Sequence, residues 1–185
     1  MTRRFQFSLR ALLALMTAVA LALTWVFQPI FQLRRQRQIA DAFSKRGVWI
    51  LYDYDPRLSK GHPPGPAWAR SLYGDDLFIN PVAVTWHGEP PSDDDLRLLA
   101  QLTHLRRLSL AGLAVDDPYL HKLSQLESLE ELDLHATAIT DRGLEQLPIF
   151  PNMKRIYLAK TDTTEDGITK LRRRLGHLPT LSISW

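Results

Sequence analysis

Apolar residues recur along the second half of the chain with a spacing that neither a lone helix nor a lone strand produces. Leu105-x-x-Leu108-x-Leu110, Leu129-x-x-Leu132-x-Leu134 and Met153-x-x-Ile156-x-Leu158 begin 24 residues apart. The columns downstream keep step: Leu120, Leu144 and Ile168, then Leu123, Leu147 and Leu171. Backwards, Ile79-x-x-Val82-x-Val84 followed by Leu96, Leu99 and Leu102 reads as a divergent copy with two extra residues. Forwards, Leu178-x-x-Leu181-Ser182-Ile183 begins another. A fixed period of this length marks small units that cannot bury their apolar sides alone and must stack to share a core.

Each copy predicts a strand, a turn and a helix. Alternation through the L-x-L triplet turns Leu108 and Leu110 inward, and Arg107, Ser109 and Ala111 outward. Ala138 to Leu144 reads as a turn into a helix, with Thr140 or Asp141 placed to accept the free N–H groups of the first turn. Asp117 with Pro118 does the same one copy earlier, proline fitting the first helical position. The expected architecture is α/β, a short solenoid with parallel strands on one face and helices on the other. Its copies span 79–104, 105–128, 129–152, 153–177 and a partial 178–185.

These residues resemble the leucine-rich repeat in its ribonuclease-inhibitor-like form, L-x-x-L-x-L-x-x-T-x-I-T-D-x-G-L-x-x-L. Leu129 to Leu147 follows that form at nearly every position, whereas the preceding copy has Leu113 for Thr137 and Pro118-Tyr119 for Arg142-Gly143. Together with Phe5-Gln6-Phe7-Ser8-Leu9-Arg10, an apolar helix and the Pro-Gly-Pro-Ala-Trp of Pro64 to Trp68, the chain is similar to short bacterial membrane-anchored leucine-rich-repeat proteins. The resemblance implies fold, anchoring and a bias toward protein binding, and brings no biochemical activity with it. Residues 48–78 fall outside the period and are expected to cap the stack, with Trp49, Trp68, Tyr73 and Phe78 as apolar material.

Before the repeats, Ala11 to Phe31 is almost wholly apolar, about 31 Å as a helix and long enough to cross a bilayer. Arg3, Arg4 and Arg10 precede it, and Arg34, Arg35 and Arg37 follow. Ala18-Val19-Ala20 and Ala20-Leu21-Ala22 offer signal-peptidase sites, but both lie inside the apolar run. The expectation is therefore an uncleaved N-terminal transmembrane helix (residues 1–28 with their basic flank), a juxtamembrane helix or linker (29–47) that Gly47 stops, and single-pass membrane localisation. The near-equal arginine flanks give no orientation.

Charge sharpens this division. The first 46 residues hold eight of the 23 Lys and Arg against one acid, Asp41, so the remainder is mildly acidic although the whole chain is +3. A nucleic-acid reader needs its positive stripe on the folded part, so nucleic acid is not expected as a partner. Arg172-Arg173-Arg174 reads as a solvated helix end.

Catalytic chemistry is poorly represented. Cysteine is absent, and no phosphate-binding glycine loop, nucleophile elbow or H-E-x-x-H is present. The six histidines (62, 87, 104, 121, 135 and 177) do not pair at helical spacing. Asp93-Asp94-Asp95 reads as a helix start rather than a cation site. The chain is read as a non-enzyme without cofactor or metal. Candidate binding residues lie on the outward face of the strands. Arg107, Glu131 and Arg155 form one column; Ser109, Asp133, Tyr157 and Ser182 the next; Ala111, His135, Ala159 and Ser184 a third. The centre of this patch is Asp133, Tyr157 and Arg155, tyrosine and arginine being frequent hot-spot types. The expected partner is a protein or peptide. A second expectation is weak homo-oligomerisation through the C-terminal strand edge, at Ser182, Ser184 and Trp185.

Overall fold

The computed structural model describes residues 9–55, 62–176 and 182–184. The chain divides into two units, Met1–Arg35 and Gln36–Trp185. The elements are α1 (Leu9–Lys45), β1 (Trp49–Tyr52), α2 (Ala67–Tyr73), β2 (Pro81–Thr85), α3 (Asp93–Leu99), β3 (Arg107–Ser109) and α4 (Asp117–Leu120). They continue as β4 (Glu131–Asp133), α5 (Asp141–Gln146), β5 (Arg155–Tyr157), α6 (Glu165–Arg174) and β6 (Ser182–Ser184). Short 3-10 turns occupy Asp75–Phe78 and His121–Gln125.

Among the described residues no helix is long and apolar enough to cross a membrane. This overturns the expected transmembrane helix over Ala11 to Phe31 and the single-pass membrane localisation drawn from it. The apolar run is not a separate element. It belongs to the 37-residue α1, which continues through Pro29 into a segment bearing Arg34, Arg35, Arg37 and Lys45. In the first unit Leu13, Leu15, Met16 and Leu21 are exposed. In the second unit Ile39 and Phe43, from the last turns of the same helix, belong to the core cluster. Gly47, with a left-handed φ of 82°, carries the chain out of α1 toward β1.

The expected parallel solenoid is corrected as well. The fold is α/β with one six-stranded mixed sheet in the order β1-β2-β3-β4-β5-β6. β1 pairs antiparallel with β2, and the following pairs are parallel. Register also differs at both ends from the sequence alignment. Val84, not Val82, lies beside Leu108, so the 24-residue step holds without insertion back to β2. At the far end Ile183, not Leu181, lies beside Ile156. The last step is longer because α6 has ten residues where α5 has six.

Within the periodic region, the same backbone bond recurs at each step. The N–H groups of Trp86, Leu110 and Leu134 donate to the carbonyls of Ser109, Asp133 and Tyr157 at 2.8–3.0 Å. Val84, Leu108, Leu132 and Ile156 point to one side of the sheet with at most 1% exposure, each contributing about 1.5–3 kcal/mol by leaving water. The residue two places beyond each L-x-L triplet is left-handed: Gly112 (φ 71°), Ala136 (53°) and Lys160 (58°). Only the first of these adopts it without a Cβ penalty. Thr137 and Thr161 close the same turn by donating to Leu134 O and Leu158 O at 2.7 and 2.6 Å. Leu113, which replaces this threonine one copy earlier, makes no such bond and joins the hydrophobic core.

A second device links the helices. Thr140 caps α5 and Thr164 caps α6, resolving the sequence alternative of Thr140 or Asp141 in favour of the threonine. Asp116, rather than Asp117, caps α4. Asp117 is thereby freed to reach the next unit, accepting from Thr140 N at 2.8 Å and Thr140 Oγ1 at 2.6 Å. Asp141 accepts the equivalent pair of bonds from Thr164 at the same distances. This staple explains Gly143 and Gly167. A Cβ on Gly143 would stand 2.1 Å from Asp117 Oδ1, and one on Gly167 2.0 Å from Asp141 Oδ1.

The N-terminal side of the core is closed differently from the expectation. Trp49 and Trp68 are exposed, while Phe43, Val48 and Trp86 are buried. Phe43 meets Trp86 edge to face at 5.2 Å between ring centroids, and the Arg46 guanidinium lies 5.6 Å from the Trp86 ring centroid. Arg46 then forms a two-pronged pair with Asp95 at 2.5 and 3.2 Å. Asp95 is simultaneously the third residue of a capping box with Ser92 at the start of α3. Arg174 also differs from a freely solvated helix end, donating to the carbonyls of Glu145 and Leu147 near the end of α5.

Replacing Gly143 by Ala is expected to destabilise the protein by about 1–3 kcal/mol, since backbone or carboxylate must move. Asp117→Ala/Gly143→Ala should cost less than the sum of the single changes, because the clashing carboxylate is gone. Urea denaturation midpoints check both; strict additivity would contradict the staple.

Candidate functional site: the open face of the sheet

The side of the sheet opposite the buried leucines collects the candidate residues in two rows. The sheet register aligns Leu51, Ala83, Arg107, Glu131, Arg155 and Ser182 in one, and Trp49, Thr85, Ser109, Asp133, Tyr157 and Ser184 in the other. Ser184 therefore aligns with Tyr157, and Ser182 with Arg155, a two-residue shift from the columns drawn by sequence. Trp185 and residues 177–181 lie outside the described residues.

Glu131 is the electrostatic centre of the first row. Its Oε2 accepts from Arg107 Nε at 2.6 Å, and its Oε1 accepts from Arg155 Nη2. One carboxylate thus sits between two guanidiniums on neighbouring strands about 4.8 Å away on each side. Burial alone would push the Glu131 carboxyl up. The bonds from Arg107 and Arg155 outweigh it and hold the group below its ordinary value. Reciprocally, the Glu131 bond raises Arg107. One residue earlier a second ladder repeats the pattern, with Glu130 3.6 Å from Arg106 and 2.6 Å from Lys154.

In the second row Asp133 accepts from Ser109 Oγ at 2.9 Å through one oxygen and from the His135 N–H at 3.0 Å through the other. Asp133 is therefore held down on the sheet. Tyr157 is half-buried beside it, and His135 is likewise intermediate. The structure brings Arg107, Glu131, Asp133, Arg155 and Tyr157 onto one face, as the 24-residue spacing requires, while His135 lies two residues beyond the end of β4.

The sequence reading missed the N-terminal end of this face. Trp49 is 71% exposed and Leu51 55% exposed, both on the open side of β1. The Trp49 ring meets His87 edge to face at 4.8 Å. Beside them a shallow cavity of about 240 Å³ is lined by Leu51, Asp53, Val82, Ala83 and the charged residues Arg106, Arg107, Glu130 and Glu131. The period-two alternation in Trp49-Ile50-Leu51-Tyr52 was the available signal. What concealed it was the antiparallel return, which the 24-residue period does not encode.

Among the described residues no group of three or more His, Asp or Glu side chains is placed to hold a metal ion. The chemistry the face offers is charge, hydrogen bonding and two exposed apolar side chains. No family model matches the chain, and no curated protein matches it. The leucine-rich-repeat likeness therefore rests on the residues themselves.

Because the folded Glu131 titrates below its unfolded value, its contribution to stability is present above about pH 4.3 and is lost as pH falls through the folded value. Replacing Arg107 and Arg155 together by Gln should raise the Glu131 pKa above that of an ordinary glutamate, since burial then acts unopposed. Carboxyl-carbon NMR titration checks the shift. A Glu131 pKa unmoved by loss of both arginines would refute the ladder.

Proposed function

We propose that the protein is a non-enzymatic binding module that recognises another protein, or a peptide segment of one, on the open face of its sheet. The observation that carries this reading is the exposure of Trp49, Leu51, Arg107 and Arg155 on one face, whose backbone is held by strand pairing. A rigid face loses little freedom on binding, so apolar and cationic groups held there keep more of their interaction energy as affinity. Aromatic residues and arginine are the types that most often carry such energy. The likeness of Leu129 to Leu147 to the leucine-rich repeat supports the same reading. Nucleic acid is not the proposed partner, since residues 47–185 carry more acids than bases.

Glu131 and Asp133 are unsuitable for a clean test, because each neutralises or anchors neighbours within the sheet. Arg155→Ala/Tyr157→Ala removes two outward groups, and Glu131 keeps its bond from Arg107. Full-length protein and this variant, matched for melting temperature, serve as bait in lysate of the source cells, with captured proteins identified by mass spectrometry. The expected result is a protein enriched by the wild type and reduced at least about tenfold with the variant, a loss of about 1.4 kcal/mol or more. Equal enrichment by both baits would overturn the reading.

A second reading, self-association through the C-terminal edge, is favoured by the place of β6 at the end of the strand order. A terminal strand can pair with another chain. It predicts a concentration-dependent dimer in sedimentation equilibrium that Ile183→Pro abolishes, and a strict monomer would end it.

A further inference from the structure

The sheet has a terminal strand at each end of its order, β1 and β6, and the two differ in how their edges are protected. Edge strands are commonly blunted by charge, by proline or by a cover, because their free N–H and C=O groups otherwise pair with another chain. At β6 the Leu158 N–H donates to Ser184 O, so by alternation the Ile183 backbone groups turn to the free edge. There Arg172 Nη2 donates to the Ile183 carbonyl at 3.4 Å. At β1 the bonding is read from β2. The Trp86 N–H donates to Ser109 O, which turns Thr85 toward β1 and its register partner Trp49 toward β2. The backbone groups of Ile50 therefore face outward. The strand Trp49-Ile50-Leu51-Tyr52 holds no charged residue and no proline, and among the described strands only β2 pairs with it. Trp49 and Leu51 are exposed on the open face, while Ile50 packs against the core on the other.

We propose that β1 is a self-pairing edge: β1 of a second copy lies antiparallel against it, with Ile50 opposite Ile50 across a twofold axis normal to the sheet. A twofold interface uses the same patch on both subunits, so the patch must complement itself. Centring on Ile50 achieves this. Its outward N–H and C=O groups meet their own counterparts, as in a hydrogen-bonded antiparallel pair. Trp49 of each copy then stands directly opposite Leu51 of the other, in the non-hydrogen-bonded position where side chains approach closest. The Trp49 ring is already held edge to face by His87 at 4.8 Å, so it loses little freedom on pairing. An incoming strand must be apolar on both faces, and β1 itself is such a strand. By contrast β6, which alternates serine with isoleucine, offers serine where Trp49 and Leu51 require an apolar partner. The axis keeps both open faces on one side, so the row of Arg107, Glu131 and Arg155 stays uncovered. Pairing through β1 is thus compatible with partner binding on that face and does not depend on it.

Sedimentation equilibrium of the full-length protein is expected to show a monomer–dimer equilibrium by about 0.3 mM, the weak range that a small edge contact supports. Leu51→Lys puts a charge on the exposed side of this edge and should raise the dimer dissociation constant at least about tenfold. Ser184→Lys, the matched change at β6, should leave it within about twofold. Because the chain has no cysteine, disulfide trapping reads the register. Trp49→Cys mixed with Leu51→Cys sets the two cysteine Cα atoms about 4.5 Å apart, within bridging range, whereas copies of either variant alone stand about 8 Å apart. The oxidised mixture should give at least about fivefold more linked dimer than either variant alone. Should Leu51→Lys fail to fold, the cysteine pair still decides. A strict monomer at about 0.3 mM, a dimer that Leu51→Lys leaves within about twofold, or equal linking in the mixture and the single variants would overturn the inference. Loss of the dimer in Ser184→Lys alone would overturn it in favour of the β6 edge.

Discussion

Register between successive 24-residue units is the constraint on which the rest of the structure depends. Every feature that repeats does so because Val84, Leu108, Leu132 and Ile156 occupy the same point on neighbouring strands. A slip of one residue would turn these side chains to water and bring Arg107 and Glu131 into the core. Two sets of bonds hold the register from opposite sides. On the sheet, backbone bonds join each strand to the next at a constant step. On the helices, Asp117 and Asp141 reach forward to Thr140 and Thr164. The glycines at 143 and 167 are the steric condition for that reach, so one structural requirement accounts for an aspartate, a threonine and a glycine in each unit.

The N-terminal boundary of the core obeys other rules. Among the described residues no 24-residue unit precedes β2 to cover Val84 and Trp86, and the cover comes from the end of α1 and from Val48. Arg46 joins these layers, its guanidinium near the Trp86 ring and paired with Asp95. That carboxylate lies at the base of α3, where it also completes the Ser92 capping box. The Arg46 and Ser92 contacts hold the Asp95 carboxyl below its ordinary range despite its burial. A helix boundary and a tertiary contact are thus secured by the same side chain.

The open face gains its character from what the core demands. Alternation forces every second strand residue outward, and the 24-residue period aligns those residues into rows. Like charges in adjacent positions would repel at about 4.8 Å. The cation–anion–cation order of Arg107, Glu131 and Arg155 relieves that repulsion and at the same time leaves an excess of exposed positive groups. Beside it, β1 contributes apolar side chains to a face that would otherwise be polar. The surface thus combines a charged row with an apolar end.

The sequence by itself determined the period, the strand–turn–helix order within 105–176, the buried Leu and Ile columns and the outward placement of Arg107, Glu131, Asp133, Arg155 and Tyr157. These follow from spacing along one chain, because burial acts on every copy alike. Tertiary structure alone decided the antiparallel docking of β1, the exposure of Trp49 and Trp68, and the Arg46–Asp95 pair. It also showed that the apolar run at Ala11 to Phe31 belongs to a longer, charged helix. Hydropathy read in a window weighs a segment against water or lipid, but not against the helix that continues it or the core that its last turns enter. The shifted register of β6 has a similar origin: the extra length of α6 is absorbed before the strand begins, and only pairing with β5 shows where the chain resumes its step.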